Sequence, residues 1–459
     1  MPPFADLFPA ALLFAAGRES ELRPLLMQLL VIIIAARLGS MVARRLGQPS
    51  VVGEIIAGLL LGPSAVGALA PEWSAVVFPV RPDGASGLEA SLWGFSQVGL
   101  LLLMFLIGLE FDFSHIRSQG RLAAAISLAG ITVPFAFGIA LATMMVPRLT
   151  ALGAPESLDT MSFALFMGTA LSITAIPILG RMLAEMGLQR SLIGATVIAA
   201  AACDDCIGWT LLTAVSAVAE GRSDLWVIVR TLAAAVLVAA VGILVVRPLF
   251  LPRLERAVEG EAVGQEPDGG RLPLPSLSLL LSALLVVALV TSWIGISSVF
   301  GGFLLGASLS GSARLRGALA GQLSDFVTTF FLPIFFTYTG LRTNIGSLAT
   351  PEAWGWCLAV LAVAVAGKCG GCTLAARWCG VPAAEATCIG VLMNTRGLME
   401  LVVCNVGLDL GVIPQAVYCM LVLMAIITTL MATPLATALL RGGQHEARLI
   451  DRGFLRAPG

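Results

Sequence analysis

Charged residues are scarce in this sequence of 459 residues. Asp, Glu, Lys and Arg together make up 12% of the chain, about half of the share found in soluble domains. The net charge is −1, which excludes a general positive field that would attract nucleic acid. The chain has one lysine, Lys368, and two histidines, His115 and His445, neither of which lies in an HExxH pattern. The motif of a zinc hydrolase is therefore missing.

Two other kinds of signal are also missing. No basic residue precedes the short apolar run at the N-terminus, MPPFADLFPAALLFAAG, so we do not expect a cleaved signal peptide. No nucleophile with a matching base and no cluster of metal ligands stands out in the sequence. We therefore expect a protein that is not an enzyme and that carries no cofactor.

Apolar residues, in contrast, make up 58% of the chain. Stretches of about 20 apolar residues, the length that crosses the hydrocarbon layer of a bilayer, recur throughout. The pattern predicts an all-α, multi-pass membrane protein with about thirteen transmembrane helices. The predicted spans are residues 22–44, 49–66, 91–111, 121–146, 160–183, 190–219, 224–249, 273–295, 297–312, 320–342, 353–378, 382–408 and 412–440.

Arginine is distributed unequally between the two sets of connecting loops. Most arginines lie in the loops after odd-numbered spans and in the C-terminal tail. The loops after even-numbered spans contain only Arg81, Arg148, Arg222 and Arg342. Because cytoplasmic loops are rich in basic residues, we expect the N-terminus outside and the C-terminus in the cytoplasm, in the cell (inner) membrane.

Two short segments of the first half recur in the second half. The sequence GLLLGPS at residues 58–64 resembles GFLLGAS at 302–308, and GLE at 108–110 resembles GLR at 340–342. The copies lie seven spans apart, an odd number, so they predict inverted repeats. We expect one transmembrane domain over residues 1–440, with repeats at about 49–219 and 297–440, a linker loop at about 250–272 and a short cytoplasmic tail at 441–459.

Each repeat contains a span with an interruption at the corresponding place. Span 5 contains SITAIP at residues 172–177, and span 12 contains NTRGLME at residues 394–400. Proline removes a backbone donor and glycine loosens the chain, so both spans are predicted to be discontinuous, the site of binding in many transporters. A simple proline kink is the alternative for span 5. Hydroxyls that can bond the freed backbone groups are those of Ser172, Thr174 and Thr395.

Charges inside the predicted membrane region are the strongest functional signal. Asp204 and Asp205 lie near the middle of span 6, where an aspartate costs about 2.5–3.5 kcal/mol on insertion scales. Neighbouring residues project about 100° apart on a helix, so one carboxylate can face an ion path while the other faces a partner helix. Lys368 in span 11 is the expected partner. Arg396 and Glu400, four residues apart on one helical face, add a second pair.

Two further groups of residues allow more than one interpretation. Glu54 in span 2 fits either a structural role or a funnel that guides ions to the site. Two pairs of cysteines, Cys203/Cys206 and Cys369/Cys372, have CxxC spacing. The simpler interpretation is that they act as small apolar residues between packed helices, and a redox or soft-metal role is the alternative.

These residues together resemble a known family. The segments GQPSVVGEIIAGLLLGPSAVG, LLLMFLIGLEFD, LSITAIPILGRMLAEMGL, AAACDDCIGW, FFLPIFFTYTGLRT and MNTRGLMELVV are similar to those of the monovalent cation:proton antiporter family, second subgroup. That subgroup includes Kef-type potassium efflux systems and bacterial sodium/proton antiporters. The resemblance spans roughly residues 25–440.

The resemblance implies the sodium/proton antiporter fold, with spans 5 and 12 crossing as unwound helices. It also implies a homodimer and elevator-type alternating access between a dimerisation domain and a core domain. Asp205 would be the shared site for H⁺ and for Na⁺ or K⁺, and Asp204 would pair with Lys368. Ser172 and Thr174 would line the site, and Thr395, Arg396 and Glu400 would belong to the second broken helix. An Asp-Asp pair with that lysine implies electrogenic exchange.

One departure from the family is the regulatory domain. Kef-type members usually carry a cytoplasmic nucleotide-binding domain, whereas no GxGxxG fingerprint occurs here and about 19 residues follow the last span. We therefore expect no nucleotide-binding regulatory domain in the chain. Two alternatives to an antiporter stay open: a channel-like K⁺ efflux pore and a membrane sensor of the same fold that does not transport.

Overall fold

In a computed structural model of the chain, all secondary structure of the described residues is helical. These residues are 10–78, 87–110, 113–188, 191–221, 230–262 and 271–441, without residues 151, 154, 156, 157, 231, 232, 235 and 239. The predicted tail beyond residue 441 lies outside this set. The expected all-α architecture is confirmed.

The main helices are numbered here after the predicted spans. They are α1 (Ala10–Arg45), α2 (Ser50–Leu61), α3 (Gly87–Glu110), α4 (Phe113–Met145), α5a (Thr160–Ser172), α5b (Ile176–Glu185), α6 (Leu192–Ala219), α7 (Arg247–Ala262, preceded by a π-helical turn at Gly242–Val246), α8 (Leu274–Ile294), α9 (Ser298–Leu309), α10 (Ala313–Leu319 and Leu332–Arg342, joined by two short π-helical turns), α11 (Pro351–Trp378), α12a (Ala383–Met393), α12b (Leu398–Asp409) and α13 (Gln415–Leu439).

Nine helices of the described chain are long and apolar enough to cross a membrane, and two bent pairs, in α10 and α12, raise the number to eleven. The two remaining predicted spans correspond to shorter apolar helices, α5a and α9. α5a is short because it stops at the interruption predicted in span 5 and resumes as α5b. The chain is therefore a multi-pass membrane protein.

The helices pack in two groups. α1, α2, α3, α8, α9 and α10 contact one another and form what we name the first bundle. α4, α5a, α6, α11, α12a, α12b and α13 contact one another and form the second bundle. Every charged residue predicted for the ion site lies in the second bundle, so its geometry is set by the packing within that bundle.

Each repeated glycine motif packs against a helix from the other half of the sequence: α2 lies against α10, and α9 lies against α3. A β-carbon added to Gly58 would lie 2.6 Å from the Phe336 carbonyl oxygen, and one added to Gly62 would lie 2.6 Å from the Gly340 oxygen. In the same way, α9 lies against α3, where a β-carbon on Gly302 would lie 2.7 Å from the Leu101 oxygen. Both pairs of helices run parallel, as expected for two even-numbered and two odd-numbered spans. Glycine is required because backbone meets backbone.

Two segments differ from the sequence-based expectation. The helix of α1 begins at Ala10 rather than near residue 22, and Pro24 lies inside it. The predicted linker loop at about 250–272 is helical in its first part, because the helix that starts at Arg247 continues to Ala262. Its residues Leu254 and Val258 are buried in the core, which explains why this charged segment is ordered as a helix.

The close contact between the glycines of α9 and the backbone of α3 predicts that a larger residue there will destabilise the protein. Gly306→Ala places a methyl group against the backbone of Phe105 and Leu109, and overpacking of this kind costs about 1–3 kcal/mol. We expect a lower midpoint of thermal unfolding in detergent, measured by size-exclusion chromatography of heated samples. Gly355→Ala is the control, because a β-carbon at Gly355 meets open space. Equal midpoints for the two variants would contradict the packing account.

Candidate functional site

The two adjacent aspartates lie midway along α6, in a helix that starts at a well-formed cap. The Ser191 hydroxyl accepts a hydrogen bond from the Gly194 amide at 3.0 Å, which satisfies one of the free N–H groups at the helix start. Asp204 and Asp205 are both fully buried. Because they are consecutive, their side chains leave the helix in different directions.

Asp204 is hydrogen-bonded through both carboxylate oxygens. Its Oδ1 accepts from the Ser127 hydroxyl of α4 at 2.6 Å. Its Oδ2 accepts from the Lys368 ammonium of α11 at 2.6 Å and lies 2.9 Å from the Thr174 hydroxyl oxygen, between α5a and α5b. Three separate segments thus converge on one carboxylate, and the desolvation cost of burying it is offset by charge and hydrogen bonds.

Lys368 is fully buried and has a second acceptor. Its Nζ donates to the carbonyl oxygen of Ser172 at 2.5 Å, and Ser172 is the last residue of α5a. A β-carbon added to Gly130 of α4 would lie 2.6 Å from the Cys372 sulfur, so the glycine lets α4 approach α11 closely beside the lysine. The lysine therefore joins α6 to the end of a broken helix.

Asp205 has a different environment. Neither of its carboxylate oxygens has a hydrogen-bond partner among the described residues, although the side chain is fully buried. A buried carboxylate without partners costs several kcal/mol. Two oxygens held in this way are suited to bind a proton or a small cation.

The two broken helices meet at their interruptions. The Ala175 amide donates to the Thr395 carbonyl oxygen at 3.2 Å, and the Thr174 hydroxyl oxygen lies 3.0 Å from the Met393 carbonyl oxygen. Gly397 adopts φ 155° and ψ −110°, a conformation that residues with a side chain avoid. Backbone groups freed by one break are thus bonded by the other, as burial in a membrane requires.

Arg396 holds the two breaks together. Its guanidinium donates to the carbonyl oxygens of Ala170 at 2.8 Å and Leu171 at 2.5 Å, at the C-terminal end of α5a. It also donates to Glu400 at 2.8 Å, in the first turn of α12b. A cation at a helix C-terminus and an anion at a helix N-terminus are both favourable. Both side chains are buried.

Several predicted residues are thus brought together, and others are not. Asp204, Lys368, Ser172, Thr174 and Arg396 share contacts at the crossing. The Thr395 hydroxyl was expected to bond a freed backbone group, but it has no hydrogen-bond partner in the described chain. Glu54 is buried in α2, a helix that packs mainly against α1 and α10 of the first bundle, so its funnel role stays a prediction.

Sequence reasoning missed three polar residues near the crossing. Ser127 donates to Asp204, and Thr429 of α13 binds the backbone of Arg396, accepting from its amide at 3.1 Å and donating to its carbonyl oxygen. Asn394 is buried beside Thr395. Ser127 is a single polar residue within an apolar run, Thr429 follows Thr428 in another, and Asn394 opens the NTRGLME segment that was already predicted to be interrupted. Such residues are common, so the signal is weak.

The cysteines do not form disulfides in the described chain, where all nine are free. Cys203 and Cys206 flank the aspartates and are partly buried, and Cys372 is fully buried. The Cys372 thiol lies 3.7 Å from the Ile126 carbonyl oxygen of α4. These positions fit small apolar residues between packed helices.

Outside the membrane region, Asp159 fixes the start of α5a. Its carboxylate accepts hydrogen bonds from the Ser162 amide at 2.9 Å and from the Ser162 hydroxyl. The hydroxyl, followed by the amide, lowers the pKa of Asp159 below its ordinary value, because both donors favour the charged form. The cap thus defines the N-terminus of the helix that ends at the site.

The sequence is similar to that of known proteins over most of its length. The profile of the family described as "Sodium/hydrogen exchanger, transmembrane" matches residues 29–442. The chain is 39% identical over 422 residues to the Na(+)/H(+) antiporter NhaS4 of Synechocystis sp., covering 92% of this chain and 98% of that protein.

Relatives from eukaryotes are also similar. Identity is 36% with Cation/H(+) antiporter 17 of Arabidopsis thaliana, over 93% of this chain and 49% of that protein. It is 30% with K(+)/H(+) antiporter 1 of Saccharomyces cerevisiae, over 92% of this chain and 47% of that protein. The chain thus spans about half the length of these plant and yeast relatives.

A solved structure has the same fold. The sodium proton antiporter MjNhaP1 from Methanocaldococcus jannaschii matches with a TM-score of 0.57 and 14% identity, over 92% of this chain and 99% of that chain. At this identity the match establishes the fold alone. It agrees with the all-helical, multi-pass architecture described above.

The buried ion pair generates a second prediction. Lys368→Gln leaves the Asp204 charge buried without its cation, and breaking such a pair costs about 3–5 kcal/mol. We expect a large drop in thermal stability in detergent. The double variant Asp204→Asn, Lys368→Gln removes both charges and should recover most of the loss.

A double-variant cycle measures the coupling between the two side chains. The matched comparison is Arg342→Gln with Asp409→Asn, a pair at 2.6 Å with substantial exposure of the aspartate, for which a smaller coupling is expected. If the Lys368 single variant were no less stable than the double variant, the ion pair would not hold the site together.

Proposed function

Because this chain belongs to the sodium/hydrogen exchanger family of monovalent cation:proton antiporters, we propose that it exchanges Na⁺ or K⁺ for H⁺ with Asp205 as the shared binding site. The observation that carries the proposal is the contrast between two adjacent buried carboxylates. Asp204 is bonded through both oxygens, whereas neither oxygen of Asp205 has a partner in the described chain.

Competition for one carboxylate explains coupling. A carboxylate accepts a proton or a partly dehydrated hard cation, but the two compete for the same oxygens. Because the unoccupied charged form is costly in a buried site, Asp205 favours carrying one ion or the other. Exchange follows when the site alternates between the two sides of the membrane.

The two bundles suggest how the site alternates. The proposed ion site lies within the second bundle, and its ion pairs Lys368–Asp204 and Arg396–Glu400 are internal to that bundle. We propose that the second bundle moves as a unit against the first, in an elevator-type cycle. We further propose a homodimer in the cell (inner) membrane, with the N-terminus outside and the C-terminus in the cytoplasm.

We propose that exchange is electrogenic and that Lys368 supplies a second proton. Exchange of one proton for one cation at Asp205 alone would move no net charge, because Asp204 and Lys368 neutralise each other. If Lys368 releases its own proton when the cation binds, more than one proton moves for each cation. The relatives named as Na⁺/H⁺ and K⁺/H⁺ antiporters make both cations candidates.

Transport by purified protein tests the shared site. Liposomes that contain a pH-sensitive dye would receive Na⁺ and K⁺ in turn, with native protein and with Asp205→Asn. We expect a cation-driven pH change for the native protein and none above empty liposomes for the variant. The matched control is Asp325→Asn in α10, an exposed aspartate outside the cluster, which should transport as the native protein does. Undiminished exchange by Asp205→Asn would move the site elsewhere, and cation flux without a pH change would indicate a channel.

An imposed membrane potential tests the charge movement. The native rate should change with voltage, because more than one proton is exchanged for each cation. The neutral double variant Asp204→Asn, Lys368→Gln keeps Asp205 and should exchange at a rate that does not depend on voltage. A native rate that is independent of voltage would show electroneutral exchange.

A further inference from the structure

Two neutral oxygens at the second break are left without partners. The Asn394 side-chain carbonyl oxygen and the Thr395 hydroxyl oxygen have no hydrogen-bond partner among the described residues. Both side chains are almost completely inaccessible, with 2% and 0% exposure. Buried polar groups nearly always have partners, and each one without a partner costs about 1–3 kcal/mol. Two adjacent residues of this kind have free oxygens that a ligand can occupy.

Backbone bonds fix the position of these residues next to the aspartates. Asn394 lies between Met393 and Thr395, whose carbonyl oxygens contact Thr174 and Ala175 of the other break. The Thr174 hydroxyl oxygen lies 2.9 Å from Asp204 Oδ2 and 3.0 Å from the Met393 oxygen. The Asp204 carboxylate and the Met393 carbonyl are therefore no more than about 6 Å apart.

The next residue along the chain after each of these two, Asp204 and Met393, is polar. Asn394 follows Met393, and Asp205 follows Asp204. The carboxylate of Asp205, the amide oxygen of Asn394 and the hydroxyl of Thr395 therefore belong to residues next to this junction, on helices that pack against each other. All three groups lack partners in the described chain. Carboxylate, amide and hydroxyl oxygens are the ligands that hard cations prefer.

We propose that Asn394 and Thr395 supply neutral oxygen ligands to the transported cation beside Asp205, and that they set the preference among monovalent cations. This inference rests on the proposed function of Asp205. An amide or alcohol oxygen is not protonated near neutral pH, so these two groups stabilise the cation-loaded site and leave the proton-loaded site unchanged. Their loss should therefore weaken cation binding without preventing proton binding.

The experiment is exchange in liposomes, measured against Na⁺ and K⁺ concentration. Thr395→Val removes the hydroxyl and keeps the shape, and Thr395→Ser keeps the hydroxyl as the matched control. We expect Thr395→Val to raise the KM for the cation about tenfold, the equivalent of about 1.4 kcal/mol, with a much smaller change in kcat. Thr395→Ser should keep a KM close to the native value. Asn394→Leu should also raise KM and change the ratio of the KM values for Na⁺ and K⁺.

Thermal stability in detergent separates a ligand from a structural hydroxyl. Without cation, Thr395→Val should be as stable as the native protein or more stable, because a buried polar group without a partner is replaced by a methyl group. Added Na⁺ or K⁺ should raise the unfolding midpoint of the variant less than that of the native protein. If Thr395→Val lowered the midpoint without cation, while KM stayed native, the hydroxyl would be structural and the proposal would be overturned.

The outcomes distinguish this inference from the proposed function. If Asp205→Asn abolishes exchange while Thr395→Val and Asn394→Leu keep the native KM values, the ligand assignment fails and the role of Asp205 stands. If Asp205→Asn exchanges normally, both proposals fail. Should Asn394→Leu not fold, the Thr395→Val and Thr395→Ser pair still decides.

Discussion

The structure depends on how two interrupted helices satisfy their backbone groups inside a membrane. An unwound segment there has no water to bond its N–H and C=O groups, and the new helix ends carry partial charges. In this protein the two breaks bond each other, through the Ala175 amide and the Thr395 carbonyl oxygen. Arg396 and Lys368 then bind the carbonyl oxygens at the end of α5a, those of Ala170, Leu171 and Ser172. The positively charged side chains that bond these carbonyl oxygens therefore also determine the electrostatics of the site.

This constraint explains why Asp204 is hydrogen-bonded through both oxygens while Asp205 has no partner in the described chain. Lys368 is held by the end of α5a and bonds one oxygen of Asp204, while Ser127 donates to the other oxygen. Asp204 is therefore bonded within the protein, whereas neither oxygen of Asp205 has a partner in the described chain. The neutral oxygens of Asn394 and Thr395 are available for the same reason, because the backbone around them is already bonded by Thr174, Ala175 and Thr429.

Much of this arrangement could be predicted from sequence because membranes impose strong rules. Length and hydrophobicity identify the spans, and Pro177 and Gly397 mark breaks. An isolated Lys368 needs an acid, since a single buried ammonium is costly. In contrast, no rule predicts that α1 starts at Ala10. Nor does any rule predict that the segment expected to be a loop forms a helix whose Leu254 and Val258 side chains are buried in the core. The hydrogen bond from Ser127 and the unsatisfied hydroxyl of Thr395 depend on side-chain positions that only the packed helices define.

The most direct test of the account is the number of protons released when a cation binds to the purified protein. Na⁺ or K⁺ would be added to weakly buffered, detergent-solubilised protein, with a pH indicator or a calorimeter as the readout in buffers of different ionisation enthalpy. Competition at Asp205 predicts proton release that saturates with cation concentration in the native protein and is absent in Asp205→Asn. Saturable cation binding without proton release in the native protein would contradict the shared site.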